Sequence, residues 1–302
     1  RYESAEEAVA TVDGSGTVTG VAVGETTITA TVGEMSATRA VVVNIATESL
    51  TVEEMSLHGA WDASAFLGCG CVIHVAGLAH RREQPGDEAL YDRVNRELAV
   101  EVARAAKAQG VKQFVFFSSM SVYGLTCGRI TKHTQSAPNT HYGVSKWKAE
   151  QALAELEDDA FHVAVLRPPM IYGRGNYPRL SALAQSLPLF PRVQNERSML
   201  YIDTLCAFVE RLVESGEGGL YFPQNREYVS TCAMVREIAA CHGRRVRLVP
   251  GLNALLGRMA PRVGLVGKVF GTLTYDQNMS EAFRPEEEPS FAQTIRMTEV
   301  GT

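Results

Sequence analysis

Residues 114–119 read Phe114-Val115-Phe116-Phe117-Ser118-Ser119, an apolar run of four that stops on two serines. A short continuous apolar run with polar flanks is the pattern of a strand covered on both faces. Toward the N-terminus, residues 88–109 have helical spacing, with Leu90, Val94, Leu98, Val102 and Ala106 on one face, and Gly110 ends that helix. Before it, residues 71–76 (Cys-Val-Ile-His-Val-Ala) form a second run of buried-strand type. Toward the C-terminus, residues 142–156 are helical and residues 161–166 make a third strand, stopped by Pro168-Pro169. Strand, helix, strand, helix, strand at this spacing predicts a parallel α/β sheet with right-handed crossovers. Beyond residue 170 the pattern shortens, with helices expected over 203–215 and 230–242.

The chain has 302 residues, one large domain or two smaller ones at about 150 residues each. It is 45% apolar and 21% charged, which excludes global disorder. No apolar run reaches the length of a membrane span. With 29 basic and 34 acidic residues, the net charge is −5. That argues against nucleic acid as the main partner, since such binding rests on neutralising phosphates. Six cysteines are too few for a disulfide scaffold in a chain this long. Cys69 and Cys71 lack a second Cys pair, so they are expected to be buried thiols and no metal is expected. The chain opens on Arg1, with no signal-peptide pattern, which suggests a fragment.

The grammar changes near residue 45. Residues 1–45 are rich in Thr, Val, Ala and Gly, with alternating stretches punctuated by glycine, and predict four short β-strands. Gly14, Gly16 and Gly20 also invite a reading as a dinucleotide-binding loop. That loop needs a helix opening at its last glycine, and the β-branched run that follows argues against one. Residues 8–33, AVATVDGSGTVTGVAVGETTITATVG, resemble the later strands of a bacterial Ig-like domain of group 2, a family associated with surface display.

Ligands of a doubly wound sheet bind beyond the carboxyl ends of its strands. Ser118, Ser119 and Ser121 fall there, as do His74 to Gly77. Tyr142 and Lys146 open the next helix four residues apart, on one face. An ammonium beside a phenol favours phenolate, and such a phenol can take a proton from a sugar hydroxyl. A Tyr-x-x-x-Lys spacing alone is weak; the order strand, Ser-Ser, then Tyr-x-x-x-Lys 23 positions after Ser119 strengthens it.

VIHVAG (72–77), VNRELAVEVARAAKAQGVKQFVFFSSMSVYG (94–124), HYGVSKWKAE (141–150), VLRPPMIYGRG (165–175), NERSMLYIDTL (195–205) and GLYFPQNREYV (219–229) together resemble the extended short-chain dehydrogenase/reductase superfamily. Within it they are similar to NAD-dependent nucleotide-sugar epimerases and dehydratases of the UDP-galactose 4-epimerase type, over about residues 55–299. The resemblance implies a Rossmann-like sheet over 46–166 and a substrate-binding region over 167–302. It implies Tyr142 as general base, Lys146 as the residue that lowers its pKa and binds the nicotinamide ribose, and Ser119 as hydrogen-bond partner of the substrate hydroxyl. It places Ala76, Gly77, Asn95, Ser118 and Pro168 against NAD and Arg197 on the substrate pyrophosphate. A homodimer through helices 88–109 and 142–156, with Trp147 and Ala154 facing outward, a UDP-sugar substrate and a cytoplasmic setting are also implied. Each residue has a plainer reading. His74 is then a core histidine, Asn95 a helix-surface amide, Arg197 a solvated charge, and Tyr123 and Tyr172 packing residues.

Three departures stand out. Between Ile45 and Val72 there is no Gly-x-x-Gly-x-x-Gly, so the N-terminal half of the sheet is expected to be missing or replaced by the Ig-like strands. Gly70 stands where the family has Asp, and Met170 where galactose epimerases have a substrate-binding Asn, for which Asn176 is the substitute at hand. The rival reading is a fused or truncated chain without catalysis, acting as an interaction module through its Ig-like strands.

Overall fold

The computed structural model describes residues 2–14, 18–20, 24–32, 35–43, 50–57, 59–79, 81–174, 178–186, 188–250 and 270–300. The chain divides into two units, residues 1–56 and 57–302.

In the first unit the described residues form five strands: β1 (Tyr2–Ser4), β2 (Ala10–Val12), β3 (Val18–Gly20), β4 (Gly24–Val32) and β5 (Met35–Val43). All pairing is antiparallel and internal, with β4 between β1 and β5 and with β2 paired to β3. In β4 the buried Thr26 and Ile28 alternate with the exposed Thr27, as the period of two requires. The β2–β3 register pairs Ala10 with Gly20. Gly20 therefore lies in a hairpin strand, and the next described element, β4 from Gly24, is again a strand.

In the second unit β6 (Cys71–His74) is followed by α1 (Glu88–Tyr91), a π-helical turn (Asp92–Glu97) and α2 (Leu98–Ala108). Next come β7 (Gln113–Phe117), β8 (Gly128–Ile130), α3 (His141–Ala154), β9 (His162–Leu166), β10 (Met170–Tyr172), α4 (Pro178–Ser186), β11 (Leu189–Pro191) and β12 (Met199–Tyr201). The chain continues through α5 (Ile202–Ser215), β13 (Gly219–Tyr221), α6 (Thr231–Cys241), β14 (Arg247–Val249), β15 (Leu273–Tyr275) and α7 (Phe291–Glu299). The main sheet is parallel in the order β6-β7-β9-β13. Its strands add in one direction only, so it is one wing of a doubly wound sheet. Among the described residues β6 is an edge strand, with Ile73 40% exposed. Val115, Ala164 and Leu166 pack on Phe208 and Leu212 of α5. The alternate residue Phe116 faces the other way, toward Lys146 of α3.

The helical face expected at Leu90, Val94 and Leu98 lies one residue off. The buried side chains are Tyr91, Asn95 and Ala99, while Leu90 is exposed. The expected positions step uniformly by four, whereas a helix has 3.6 residues per turn, so over four turns the expected positions drift off the inward face. Downstream, Val102 and Ala106 are buried as expected.

The remaining strands pair two by two, β10 with β12, β11 with β14 and β8 with β15. A second core, including Tyr172, Met199, Tyr201, Val235, Ile238 and Ile295, packs α6 and α7 against them. Trp147 does not face outward. It packs on the cluster of Val122, Tyr123, Ile130 and Tyr275, under the Arg167 guanidinium at 5.7 Å. Cys69 and Cys71 are half-buried rather than buried. Burial pushes the Cys71 thiol up to about 12.

Candidate active site

The carboxyl end of β7 carries the two serines. Their backbone is fixed from β9 and the residues after it, by Ser118 N–H donating to Leu166 O at 2.8 Å and Met120 N–H to Pro168 O at 3.0 Å. Ser119 caps a 3-10 turn (Met120–Tyr123), its Oγ accepting from Ser121 N–H at 3.1 Å. The turn closes at Gly124 with φ +64°, where a Cβ would collide with the Ala137 carbonyl, so only glycine fits. This turn sets Ser119 near the first turn of α3, beside the Tyr142 phenol. Burial pushes that phenol above its ordinary value; the Ser119 side chain pulls it back and nearby Tyr91 adds to the rise.

Lys146 follows one turn later on α3 and is buried. Its Nζ stands 4.6 Å from the centre of the Phe116 ring. Among the described residues it forms no ion pair or hydrogen bond. Burial pulls its pKa down to about 8, with Glu150 opposing. Gly77 closes over it. A Cβ there would stand 3.1 Å from Asn95 Oδ1 and 3.3 Å from Lys146 Nζ, so the backbone of residue 77 comes as near as glycine allows while its outer side is exposed. Asn95 is not a surface amide; it is fully buried. Its Oδ1 accepts from Leu78 N–H at 2.6 Å, and its amide donates to Leu78 O at 3.2 Å and Ser145 Oγ at 2.9 Å. Both N–H bonds are spent on protein, so Asn95 clasps the loop after β6 to α3.

Behind the serines lies a buried charge network. Arg167 donates to Glu150 through Nε at 3.0 Å and Nη2 at 2.5 Å, and through Nη1 to the Tyr123 hydroxyl at 2.9 Å. Ser118 Oγ also donates to Glu150, which commits the Ser118 hydroxyl to protein and leaves Ser119 as the serine facing Tyr142. Tyr275 donates to Arg167 O at 2.9 Å. Sequence reasoning missed Glu150 and Arg167. A signal existed: Glu150 continues the Tyr142, Lys146 spacing by another four residues.

His74 is a core histidine, stacked on Phe114 and Phe116, and among the described residues its Nε2 has no hydrogen-bond partner. Burial lowers its pKa to about 4, with Lys146 adding to the fall. Its folded pKa lies below the ordinary 6.5, so the unfolded chain takes up a proton that the native chain refuses as pH falls from 6.5 toward 4. Stability is intact above that window and lost within it, by about 2 kcal/mol between pH 7 and 5. Urea denaturation at both pH values should show this loss, and His74→Phe should remove most of it; an equal loss in the variant would contradict the account.

Pro168 is buried, its carbonyl held by Met120, and Ala76 is half-buried. Arg197 sits in the second lobe, its backbone paired to Val229 at 2.9 and 3.0 Å and its Nη1 on Gly271 O at 2.9 Å. A cavity of about 550 Å³ opens beside it, lined by Glu196, Glu227, Tyr228 and Val229 among others. None of Ser119, Tyr142 and Lys146 lines it; these three gather instead near the carboxyl end of β7. Tyr123 and Tyr172 are packing residues, 4% and 0% exposed. Asn176 lies outside the described residues.

Residues 35–219 match the sequence profile of the NAD dependent epimerase/dehydratase family, and residues 1–43 that of the bacterial Ig-like domain (group 2). The chain is 30% identical to the UDP-glucose 4-epimerase of Vibrio cholerae over 223 residues, 68% of either chain. It is 31% identical to N-acetyl-alpha-D-glucosaminyl-diphospho-ditrans,octacis-undecaprenol 4-epimerase of Escherichia coli O157:H7, of which it spans about half, 49%. In fold it is similar to the UDP-glucuronic acid 4-epimerase of Bacillus cereus solved with NAD, with a TM-score of 0.61 at 18% identity, covering 78% of this chain and 75% of that one.

Proposed function

We propose that this chain, which belongs to the NAD dependent epimerase/dehydratase family, acts on a nucleotide sugar in the manner of a UDP-sugar 4-epimerase, with Ser119, Tyr142 and Lys146 as its catalytic residues. The observation that carries the reading is the Tyr142 phenol held beside Ser119, whose side chain lowers the phenol's pKa against burial, one helical turn from the buried Lys146. NAD is the family's cofactor, and when bound it takes up a hydride from the sugar carbon and returns it. The nicotinamide end of the site fits that group. Gly77 offers bare backbone, Lys146 an ammonium for the ribose hydroxyls, and Ala76 and Pro168 lie at the ends of β6 and β9, the two strands on either side of β7. The pyrophosphate end does not fit, because no glycine-rich turn precedes Val72.

Within this reading Tyr142 accepts the proton of the sugar hydroxyl while Ser119 holds the same oxygen, and Lys146 stabilises the phenolate. Arg197 meets the substrate pyrophosphate with whatever donors Gly271 leaves it. The division at residue 166, a homodimer through the outer faces of α2 and α3 without Trp147, and a cytoplasmic setting belong to the same proposal. Incubating the chain with UDP-glucose and saturating NAD should yield UDP-galactose. Tyr142→Phe should lower the rate by about 10²- to 10⁴-fold. No conversion at millimolar NAD, or a rate indifferent to Tyr142→Phe, would reject the reading. The self-contained strand pairing of residues 1–43 favours a second reading, in which this chain serves as an interaction module and turns nothing over.

A further inference from the structure

The first turn of α3 is held by a residue that no motif singles out. Glu83 lies in the loop between β6 and α1 and is half-buried. Its Oε2 accepts from His141 N–H at 2.9 Å and its Oε1 from Tyr142 N–H at 3.1 Å. The next free amide, Gly143 N–H, donates to Thr140 Oγ1 at 3.0 Å. The opening amides of a helix have no partner within it, and a carboxylate is favoured there by both the hydrogen bonds and the dipole. Such caps ordinarily come from the residue beside the helix. This one comes from 58 and 59 positions away in the chain. The same loop supplies Gly77 over Lys146, and Leu78 in the clasp of Asn95. The Tyr91 ring packs on His141 with centres 6.3 Å apart. The loop and the helix bearing Tyr142 are thereby bound as one piece at two points.

We propose that Glu83 is a positioning residue for Tyr142. It acts through the main chain, gripping the amide of the residue whose phenol must meet Ser119. The phenol oxygen stands at the far end of a long side chain, so a small rotation of the first turn moves it appreciably. A misplacement of about 1 Å costs on the order of 10²-fold in rate. The proposal deepens the functional reading and rests on it for the role of Tyr142, but the coupling of Glu83 to Tyr142 is measurable without turnover.

The test uses the full chain with ring-labelled tyrosine, the Tyr142 signal being assigned by its absence in Tyr142→Phe. In Glu83→Ala the Tyr142 signal should shift or broaden, and amide exchange at residues 141 and 142 should quicken by about tenfold, as expected for lost net hydrogen bonds. Tyr172 and Tyr275 signals should stay as they were. Added acetate, a free carboxylate for the emptied position, should restore the Tyr142 signal, and Glu83→Gln, with one acceptor and no charge, should fall between. An unchanged Tyr142 signal and exchange rate in both variants would overturn the proposal. So would a change shared by all tyrosines in Glu83→Gln, which would make Glu83 a general stabiliser. Failure of the catalytic reading would appear separately, as absent conversion by the unaltered chain, and would leave these signals as stated.

Discussion

Titrated with NAD, the 302-residue chain should bind with a dissociation constant near the millimolar range, despite its Tyr-Lys pair. Dinucleotide affinity in this fold depends on a glycine turn that lets main-chain amides and a helix N-terminus reach the pyrophosphate. No such turn lies between Ile45 and Val72, and Gly20 lies in a paired strand of a β-hairpin. The main sheet, among the described residues, offers no second wing. Its described strands add outward from β6 in one direction, so the reversal of strand order that makes the binding crevice is absent among them. What remains is the nicotinamide end, a few charge-assisted hydrogen bonds of roughly 1.5–3 kcal/mol each. Loss of the other contacts should weaken a micromolar complex by about 4 kcal/mol. Calorimetry on the purified chain checks it. A dissociation constant of about 10 μM or tighter would show that the pyrophosphate is gripped by other means.

Removing one member of the Glu150–Arg167 pair should destabilise the second unit by about 3–5 kcal/mol, the usual cost of stranding a buried charge. Both side chains are about 5% exposed, and each makes further bonds, Glu150 to Ser118 and Arg167 to Tyr123. Glu150→Ala therefore leaves a buried guanidinium and an unpaired hydroxyl together. Replacing both, as in Glu150→Leu with Arg167→Met, should cost clearly less than the sum of the single changes, because no charge is left alone. Urea denaturation of the four proteins measures this. Additive losses would mean that the two residues act separately. The pair also joins α3, the end of β7 and the end of β9, so its loss should disturb Ser119 and Tyr142 before it unfolds anything else.

The strands and helices around the site were legible because burial writes itself as periodicity. Continuous apolar runs marked β6, β7 and β9, and the serines that ended one of them marked the site. Tyr142 and Lys146 could be read as a pair because four residues make about one helical turn. Other features left no such trace. The inward face of the helix at Tyr91, Asn95 and Ala99 was masked by apolar residues one position away, at Leu90, Val94 and Leu98. Glu83 meets α3 through a tertiary contact that depends on how a loop folds back. Glu150 and Arg167 are charges that pattern reading assigns to solvent, and only the fold shows that they satisfy each other. The outward aim of Trp147 failed for a related reason, since a large indole at a helix edge can turn inward when a guanidinium and an aromatic cluster receive it.

The π turn at Asp92–Glu97 makes this stretch sensitive to insertions and deletions. Each residue in a helix turns the chain by about 100°, so one surplus residue sets two helical segments out of phase. The segment with Tyr91 and Asn95 is phased to α3, and the segment with Val102 and Ala106 to the sheet. Deleting one residue from the turn would give a better-formed helix by hydrogen-bond count, yet would swing Asn95 away from Leu78 and Ser145. This stretch should therefore tolerate substitution on its outer face, at Arg93 or Glu97, far better than any change of length.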